Sequence, residues 1–457
     1  MRLKNYKFHF LAFLVGFFTL TRFSVDADLG WHIAYGKEFL KSGAIIASDP
    51  FSWSMHGHFW ANSYFAYQIV VAWLFEHAGY LITVFIFGLL ASISTVLLLP
   101  KRLNVWSFAV AVLGVLMASA NLGLRPHIID FFMFAILLIL LEGGYHLRPK
   151  LAPLWFLFFA IWANFHLGFL IGLLTFWAFS IVDIIKSKKL PKAGSFLLLL
   201  STFFGTLLTP FGLNIYKAIF FDSTSSSGVL YVYEWQPIIF SLKLMLLFVL
   251  SALVFIQIFR KNVQKIEPEW LLFGAVLFML PFLGSFYLIF WSAYFIYVGT
   301  RYFVLKNYFL KVLVLLIAVV VILQVTFNFG KEIWRSGSLN KRFVVDGYPS
   351  GAMNFIVSHG YTERLFNHFN WGGYIDWEYP NVAVFIDGRM NGWRQLGGHY
   401  IFDDFIQIVR GNCDSFSRYQ PRVALLTPGS SEKCFSGWSK VYSDKTSKVL
   451  VSPDYLH

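Results

Sequence analysis

The chain has 457 residues, of which 57% are hydrophobic, 20% aromatic and only 13% charged. A soluble domain carries about a quarter charged residues, and a soluble core stops growing beyond roughly 250–300 residues, so one soluble globule is excluded. The net charge of +13 does not indicate nucleic-acid binding, because the cations lie in short clusters between apolar runs. We therefore expect an α-helical polytopic membrane protein.

Apolar runs of about the length that spans a bilayer occupy most of the first 330 residues. The N-terminal run predicts a retained first helix and not a signal peptide, because no small-x-small cleavage site precedes Asp26. About 11 transmembrane helices are predicted, at 8–23, 79–100, 104–121, 127–145, 152–165, 167–185, 193–210, 238–259, 269–283, 285–300 and 309–328.

The distribution of Lys and Arg predicts the orientation of these helices. With a cytoplasmic N-terminus, seventeen lie in the cytoplasmic segments 1–7, 101–103, 142–151, 186–192, 260–268 and 301–311. The longer opposite loops hold five, namely Arg22, Lys37, Lys41, Arg125 and Lys217. This asymmetry follows the positive-inside rule. It predicts a multi-pass protein of the plasma (inner) membrane, with loop 24–78 and the C-terminal tail outside the cytoplasm.

The composition changes near Asn328, where Gly, Asp, Asn and Arg become frequent. We expect a transmembrane domain over 1–329 and a small extracytoplasmic α/β domain over 330–457. The segments RLFNHF and VAVFIDG are predicted strands, and 349–360 and 400–410 are predicted helices. The two cysteines, Cys413 and Cys434, would form a disulfide or remain free thiols.

The first outer loop carries Asp26 and Asp28 directly after the first span, followed by predicted helices at about 29–41 and 62–77. The first of these helices has the composition of a surface-lying, interfacial helix. Two carboxylates at the bilayer edge are suited to hold a divalent cation or to accept a proton from a hydroxyl group. The structural alternative is that Asp26 caps the following helix and Asp28 enriches its first turn. Likewise, the later segment DPFS is typical of a turn.

Two further polar segments lie at the same predicted membrane face. In NLGLRPH, Arg125 and His127 are suited to bind the phosphate of a lipid, whereas an ion pair between Arg125 and Asp130 is the structural alternative. In WANFHLG, Asn164 and His166 would hydrogen-bond a sugar or a phosphate, or would be ordinary interfacial residues.

Loop 210–237 supplies three more candidates. Lys217 would contact phosphate, and Glu234 and Trp235 would face a sugar, with FDSTSSSG between them as a flexible lid. A surface loop with an interfacial Trp is the alternative. In the tail, Asp387 and Arg389 of FIDGR would pair within a structural turn or help to bind an acceptor.

The architecture of the first 330 residues, with the motifs DxDLxWHxxxG, DPFS and GxxW, resembles the GT-C superfamily of membrane glycosyltransferases, and in particular an uncharacterised bacterial branch. The resemblance implies a polyprenyl-phosphate-linked sugar donor and a glycan, lipid or protein acceptor. It implies that Asp28, or Asp26, is the catalytic base, and that Asp49 is a second acidic residue. It leaves open a divalent cation, Mg or Mn, at Asp26 and Asp28. Within these motifs, His32 and Trp60 are candidate substrate-binding residues.

Two other functions remain open on the sequence. A polysaccharide polymerase or ligase also uses lipid-linked sugars, but with arginine and histidine as its main catalytic groups, so it should tolerate the loss of Asp26 and Asp28. A non-enzymatic transporter or scaffold is the other alternative. Transporters usually show paired repeats and polar groups at the midplane, whereas here the polar residues gather at one predicted face.

Overall fold

The structure is a computed structural model that describes residues 6–23, 26–186, 193–221, 226–303, 323–324, 326–334, 347–395 and 397–456. It is mostly helical, with a small sheet near the C-terminus. The chain separates into two compact units. The first contains 1–23, 81–212 and 233–335, and the second contains 24–80, 213–232 and 336–457. The first outer loop, which we assigned to the transmembrane domain on the sequence, therefore packs in the same unit as the tail.

The first unit is built from apolar helices. They are α1 (Lys7–Leu20), α4 (Gly79–Leu97), α5 (Val105–Ala118), α6 (His127–Glu142), α7 (Ala152–Phe165), α8 (Phe169–Lys186), α9 (Ala193–Thr206), α12 (Leu242–Asn262), α13 (Pro268–Met279) and α14 (Leu288–Tyr302). On α12, Leu246, Leu250 and Leu253 are exposed along one face. Since water disfavours such a continuous apolar surface, this face is suited to lipid.

Within the described residues, three helices are long and apolar enough to cross a membrane: Gly79–Leu97, Phe169–Lys186 and Leu242–Lys265. Several other predicted spans form helices that end early. The run 127–145, for example, stops as a helix at Glu142, and 16 residues cover only about 24 Å of a hydrocarbon core about 30 Å thick. The predicted span 309–328 lies largely outside the described residues. The number of eleven spans stays a prediction.

The second unit begins with two helices of the first outer loop, α2 (Leu29–Ser42) and α3 (Phe65–His77), close to their predicted positions. The residues from Leu29 to Gly36 are all buried, so half of α2 is enclosed by protein. Gly36 allows this packing, because a Cβ there would lie 2.6 Å from the Cβ of Ala72 on α3 and would collide with the carbonyl of Gln68.

The remaining helices of this unit are α10 (Asn214–Phe221), α11 (Ser226–Tyr231), α15 (Ser350–Ser358), α16 (Gly372–Glu378), α17 (Ile401–Val409) and α18 (Phe416–Tyr419). The strands are β1 (Leu365–Asn367), β2 (Val423–Leu426), β3 (Ser439–Ser443) and β4 (Lys448–Val451), in the order β1-β2-β4-β3. β1 pairs with β2 in parallel, and the other pairs are antiparallel. Every residue of β1, β2 and β4 is buried, as expected for strands covered on both faces.

Three of the four elements predicted in the tail are confirmed: the strand in RLFNHF and the helices near 349–360 and 400–410. The strand predicted in VAVFIDG is wrong. Val384 forms only an isolated bridge with Ser52, and the following backbone amides bond to the side-chain oxygen of Asn367. An isolated bridge and a side-chain oxygen therefore take the hydrogen bonds that a strand ladder would need. Cys413 and Cys434 form a disulfide.

Candidate functional sites

Asp26 and Asp28 lie in the turn before α2, and both are half-buried. The carboxylate of Asp26 accepts a hydrogen bond from the backbone N–H of Asp28 at 2.9 Å, which is a local turn contact. Asp28 occupies the N-cap position but makes no capping hydrogen bond. Its Oδ1 instead accepts the indole N–H of Trp31 at 3.0 Å. A purely structural role at the start of α2 therefore describes Asp26 better than Asp28. The carboxylate of Asp28 is oriented by an aromatic side chain.

Glycines of the tail bring its backbone close to this turn. A Cβ at Gly388 would collide with the carboxylate of Asp28 and lie 3.1 Å from the indole nitrogen of Trp31. A Cβ at Gly373 would lie 2.5 Å from the carbonyl oxygen of Ala27. The absence of side chains at these two positions leaves the space that Asp28 and the start of α2 occupy. The sequence analysis did not identify either glycine.

The next residue, Arg389, is fully buried and connects the first loop to the tail. Its guanidinium donates to Asp49 at 2.7 Å and to Asp387 at 2.8 Å, and also to the hydroxyl of Tyr35. Asp49 further accepts hydrogen bonds from the backbone N–H and the hydroxyl of Ser52. The pairing expected between Asp387 and Arg389 is present, and Asp49, proposed as a catalytic carboxylate, is buried in the same network.

Asp376 is a third carboxyl group in this network, and it is buried. Burial first, and then the charge of Asp387, raise the pKa of Asp376 well above its usual range. One arginine already faces two carboxylates, Asp49 and Asp387. A further negative charge would therefore be unfavourable in this interior, which favours the protonated form of Asp376.

The two residues proposed to bind substrate in this unit, His32 and Trp60, lie in an aromatic cluster. His32 is buried on α2, with its ring 3.6 Å from Trp31 and 4.8 Å from Tyr67. Trp60 is half-buried, packs against Trp31 at 5.7 Å and covers the guanidinium of Arg389 at 5.6 Å. Trp60 therefore shields the buried arginine, and His32 is a core residue of the loop.

In the first unit, two arginines lie near the start of α6. Arg125 forms an ion pair with Glu234, which is a different partner from the Asp130 of the structural alternative. Arg22 follows α1, packs against Gly123 and donates to the carbonyl of Ser119. The charges of Arg22 and Arg125 repel one another. Arg22 was counted as an outer cation but was not selected as a site residue.

The first residue of α6, His127, lies beside His166, with the two ring centroids 4.5 Å apart. Nδ1 of His166 bonds to the carboxylate of Asp130, which is fully buried and also accepts the indole N–H of Trp162 at 2.7 Å. A Cβ at Gly168 would collide with the same carboxylate. The WANFHLG turn thus closes around Asp130 and fixes the orientation of His166.

The other predicted site residues lie apart from these contacts. The amide of Asn164 donates to the backbone carbonyls of Ala160 and Leu208, so it connects α7 to the segment that follows α9. Trp235 packs against Phe286 at 5.3 Å. Lys217 is exposed on α10 in the second unit, and 222–225 of the predicted lid lie outside the described residues.

In the part of the chain that the structure describes, no group of three or more His, Cys, Asp or Glu residues could hold a metal ion. The carboxylates of Asp26 and Asp28 each accept a hydrogen bond from protein, and a divalent cation at this pair stays a prediction.

No protein-family model matches the sequence, and neither a curated protein nor a solved structure matches it.

Proposed function

We propose that the protein is a membrane glycosyltransferase that moves a sugar from a polyprenyl-phosphate-linked donor to an acceptor at the outer membrane face. The observation that carries the proposal is the cluster at the start of α6, where Arg22, Arg125, His127 and His166 gather in an apolar helical unit. Guanidinium and imidazole groups at a helix N-terminus favour phosphate oxygens. A lipid-linked phosphate carries its negative charge at the level where apolar helices meet water.

The location in the inner membrane is part of the proposal, with the N-terminus cytoplasmic, about eleven spans and the tail outside. Three apolar helices of spanning length support a membrane location. The Lys and Arg asymmetry supports the orientation. The disulfide between Cys413 and Cys434 also favours an extracytoplasmic tail, because disulfides persist in oxidising compartments.

In the proposed reaction, an acceptor hydroxyl attacks the anomeric carbon, and the bond from that carbon to the phosphate oxygen breaks. The electron pair leaves with the lipid phosphate, where the cationic cluster stabilises the added charge. Asp28 accepts the proton of the hydroxyl group. Its oriented, half-buried carboxylate supports this role better than Asp49, whose carboxylate already holds Arg389.

The test uses the full chain in proteoliposomes with a panel of radiolabelled polyprenyl-phosphate sugars. Asp28→Asn should lower kcat by roughly 10²–10⁴, and Asp26→Asn should change it much less. Gly388→Ala should also lower kcat, because its methyl group displaces the Asp28 carboxylate. Asp454→Asn is the matched control, since this side chain is exposed. Transfer that is undiminished in Asp28→Asn would exclude Asp28 as the base.

A polysaccharide polymerase or ligase is the second candidate, and the same Arg and His cluster favours it. That class relies on arginine and histidine, so transfer should survive Asp28→Asn and disappear in Arg125→Gln. Loss of transfer in both variants supports the glycosyltransferase with a loop aspartate as base.

A further inference from the structure

We infer that His166 is the general acid that protonates the departing lipid phosphate, and that Asp130 is the positioning residue that holds its ring. This inference rests on the proposed function and deepens it. It assigns a proton-transfer step to a pair of side chains that lie wholly within the first unit.

The geometry of the pair fixes which ring nitrogen can act. Asp130 is fully buried in the first turn of α6, and its carboxylate faces Nδ1 of His166. An acceptor at this position keeps the proton on Nδ1, so chemistry at the ring is left to Nε2. A buried carboxylate that holds Nδ1 also fixes the orientation of the ring, as in other Asp–His pairs.

The carboxylate of Asp130 is itself held on two further sides. The indole of Trp162 donates to Oδ1, and the backbone at Gly168 packs directly against the carboxyl group. His166 follows the last residue of α7 with an extended backbone, which turns the chain away from the helix axis at this residue. His166 and Asp130 are therefore held in a more defined geometry than an ordinary histidine at the membrane surface would need.

The charged groups around His166 carry both signs. Asp130 and His127 contact the ring, and the ion pair of Arg125 with Glu234 precedes His127. When the bond from the anomeric carbon to the phosphate oxygen breaks, that oxygen gains an electron pair and takes the proton of Nε2. His166 is left neutral, with Nδ1–H still bonded to Asp130, and solvent restores the Nε2 proton. The acceptor hydroxyl loses its own proton to the base.

The reverse of this step predicts a binding signature that does not depend on the sugar. The second pKa of a phosphate monoester is about 6, so farnesyl phosphate is mainly a dianion at pH 8. Its binding beside His166 should take up about one proton from solvent. Calorimetric titration of the full chain in nanodiscs, in two buffers of different ionisation enthalpy, measures this number.

The variants separate proton transfer from anion binding. His166→Gln should bind farnesyl phosphate with proton uptake close to zero. Asp130→Asn should reduce the uptake and Asp130→Glu should restore it, which a purely structural role would not predict. Arg125→Gln is the matched control: its affinity should fall about 10-fold or more, as for loss of a charged hydrogen bond, with unchanged uptake.

Each outcome decides between specific alternatives. Proton uptake that persists in His166→Gln, or that disappears only in His127→Gln, overturns the inference. Binding without proton uptake in the wild-type chain overturns it as well, while the proposed lipid-phosphate substrate stands. A wild-type chain that fails to bind farnesyl phosphate contradicts the proposed function instead. If His166→Gln does not fold, ¹⁵N NMR of the wild-type histidines replaces it: a ring protonated on both nitrogens in the complex supports the inference, and a ring protonated only on Nδ1 overturns it.

Discussion

Replacement of Arg389 by Gln should destabilise the second unit more than any single change to its acidic partners. The guanidinium is fully buried and bonds to Asp49, Asp387 and the hydroxyl of Tyr35. Gln removes the only positive charge among the members of this network. Two buried carboxylates would then face each other beside Asp376, without the cation that balances them.

The structure sets the order of the effects. Removal of one partner from a buried ion pair typically costs about 3–5 kcal/mol, because it leaves an uncompensated charge. We expect this range for Arg389→Gln. Asp49→Asn leaves the Arg389–Asp387 pair intact, so it loses mainly charged hydrogen bonds, at about 1.5–3 kcal/mol. Arg394→Gln is the control, since this exposed arginine bonds to the hydroxyl of Tyr400, and its effect should stay within about 0.5 kcal/mol.

Pulse proteolysis of the purified chain across a urea series would report the unfolding of the second unit through cleavage of the tail. The two units need not unfold together, so the readout should be a fragment of the tail and not a global signal. Equal losses below about 1 kcal/mol for Arg389→Gln and Asp49→Asn would refute the reasoning, because they would show that the charges are hydrated and not buried.

The pH dependence of the same network provides an independent test. Burial and Asp387 raise the pKa of Asp376, so the folded chain binds this proton more tightly than the unfolded chain. The resulting stability is complete below the unfolded pKa of about 3.9 and declines by about 1.4 kcal/mol per pH unit as the pH rises towards the folded pKa. Asp376→Asn should remove this slope. Parallel curves of unfolding free energy against pH for Asp376→Asn and the wild type would contradict this prediction.

Three further predictions concern other parts of the second unit. Gly373→Ala should cost about 1–3 kcal/mol despite the higher helix propensity of Ala, because its methyl group would press on the start of α2. Gly429→Ala is the control, since a Cβ there meets open space and should not destabilise. Reduction of the Cys413–Cys434 disulfide, which spans 21 residues, should cost about 2–4 kcal/mol in the same assay. Burial lowers the pKa of His368 to about 4, so the stability it contributes above the unfolded value of about 6.5 should be lost as the pH falls towards 4, and His368→Gln should remove this loss.

The sequence predicted much of the local structure, because local structure depends on neighbouring residues. The helices of the first loop were found within three residues of their predicted starts, since their apolar periodicity and flanking turns lie in the same segment. The error at VAVFIDG has a non-local cause. Val384 has the alternation of a strand, but its hydrogen-bond partners are Phe51 and Trp53, more than 300 residues earlier in the chain.

The sites were less predictable for the same reason. Arg125 and Glu234 were each selected, but as ligands of phosphate and sugar and not as partners of each other. Asp130 was noted only as a possible partner of Arg125, because nothing in the sequence around α6 shows that the WANFHLG turn folds back onto it. Arg389 and Asp49 are separated by 340 positions, and no spacing rule connects them.

The buried network changes how a loss of activity in this protein should be interpreted. DPFS of the first loop and FIDGR of the tail are two motifs in the sequence but one structural element, because Asp49 and Arg389 are buried partners of each other. A variant at either position disrupts this buried pair as well as removing its own charge, so an inactive Asp49→Asn would not identify a catalytic carboxylate. Asp28 is different, since its carboxylate lies against the backbone of Gly388. An inactive Asp28→Asn with unchanged stability would therefore be evidence of chemistry.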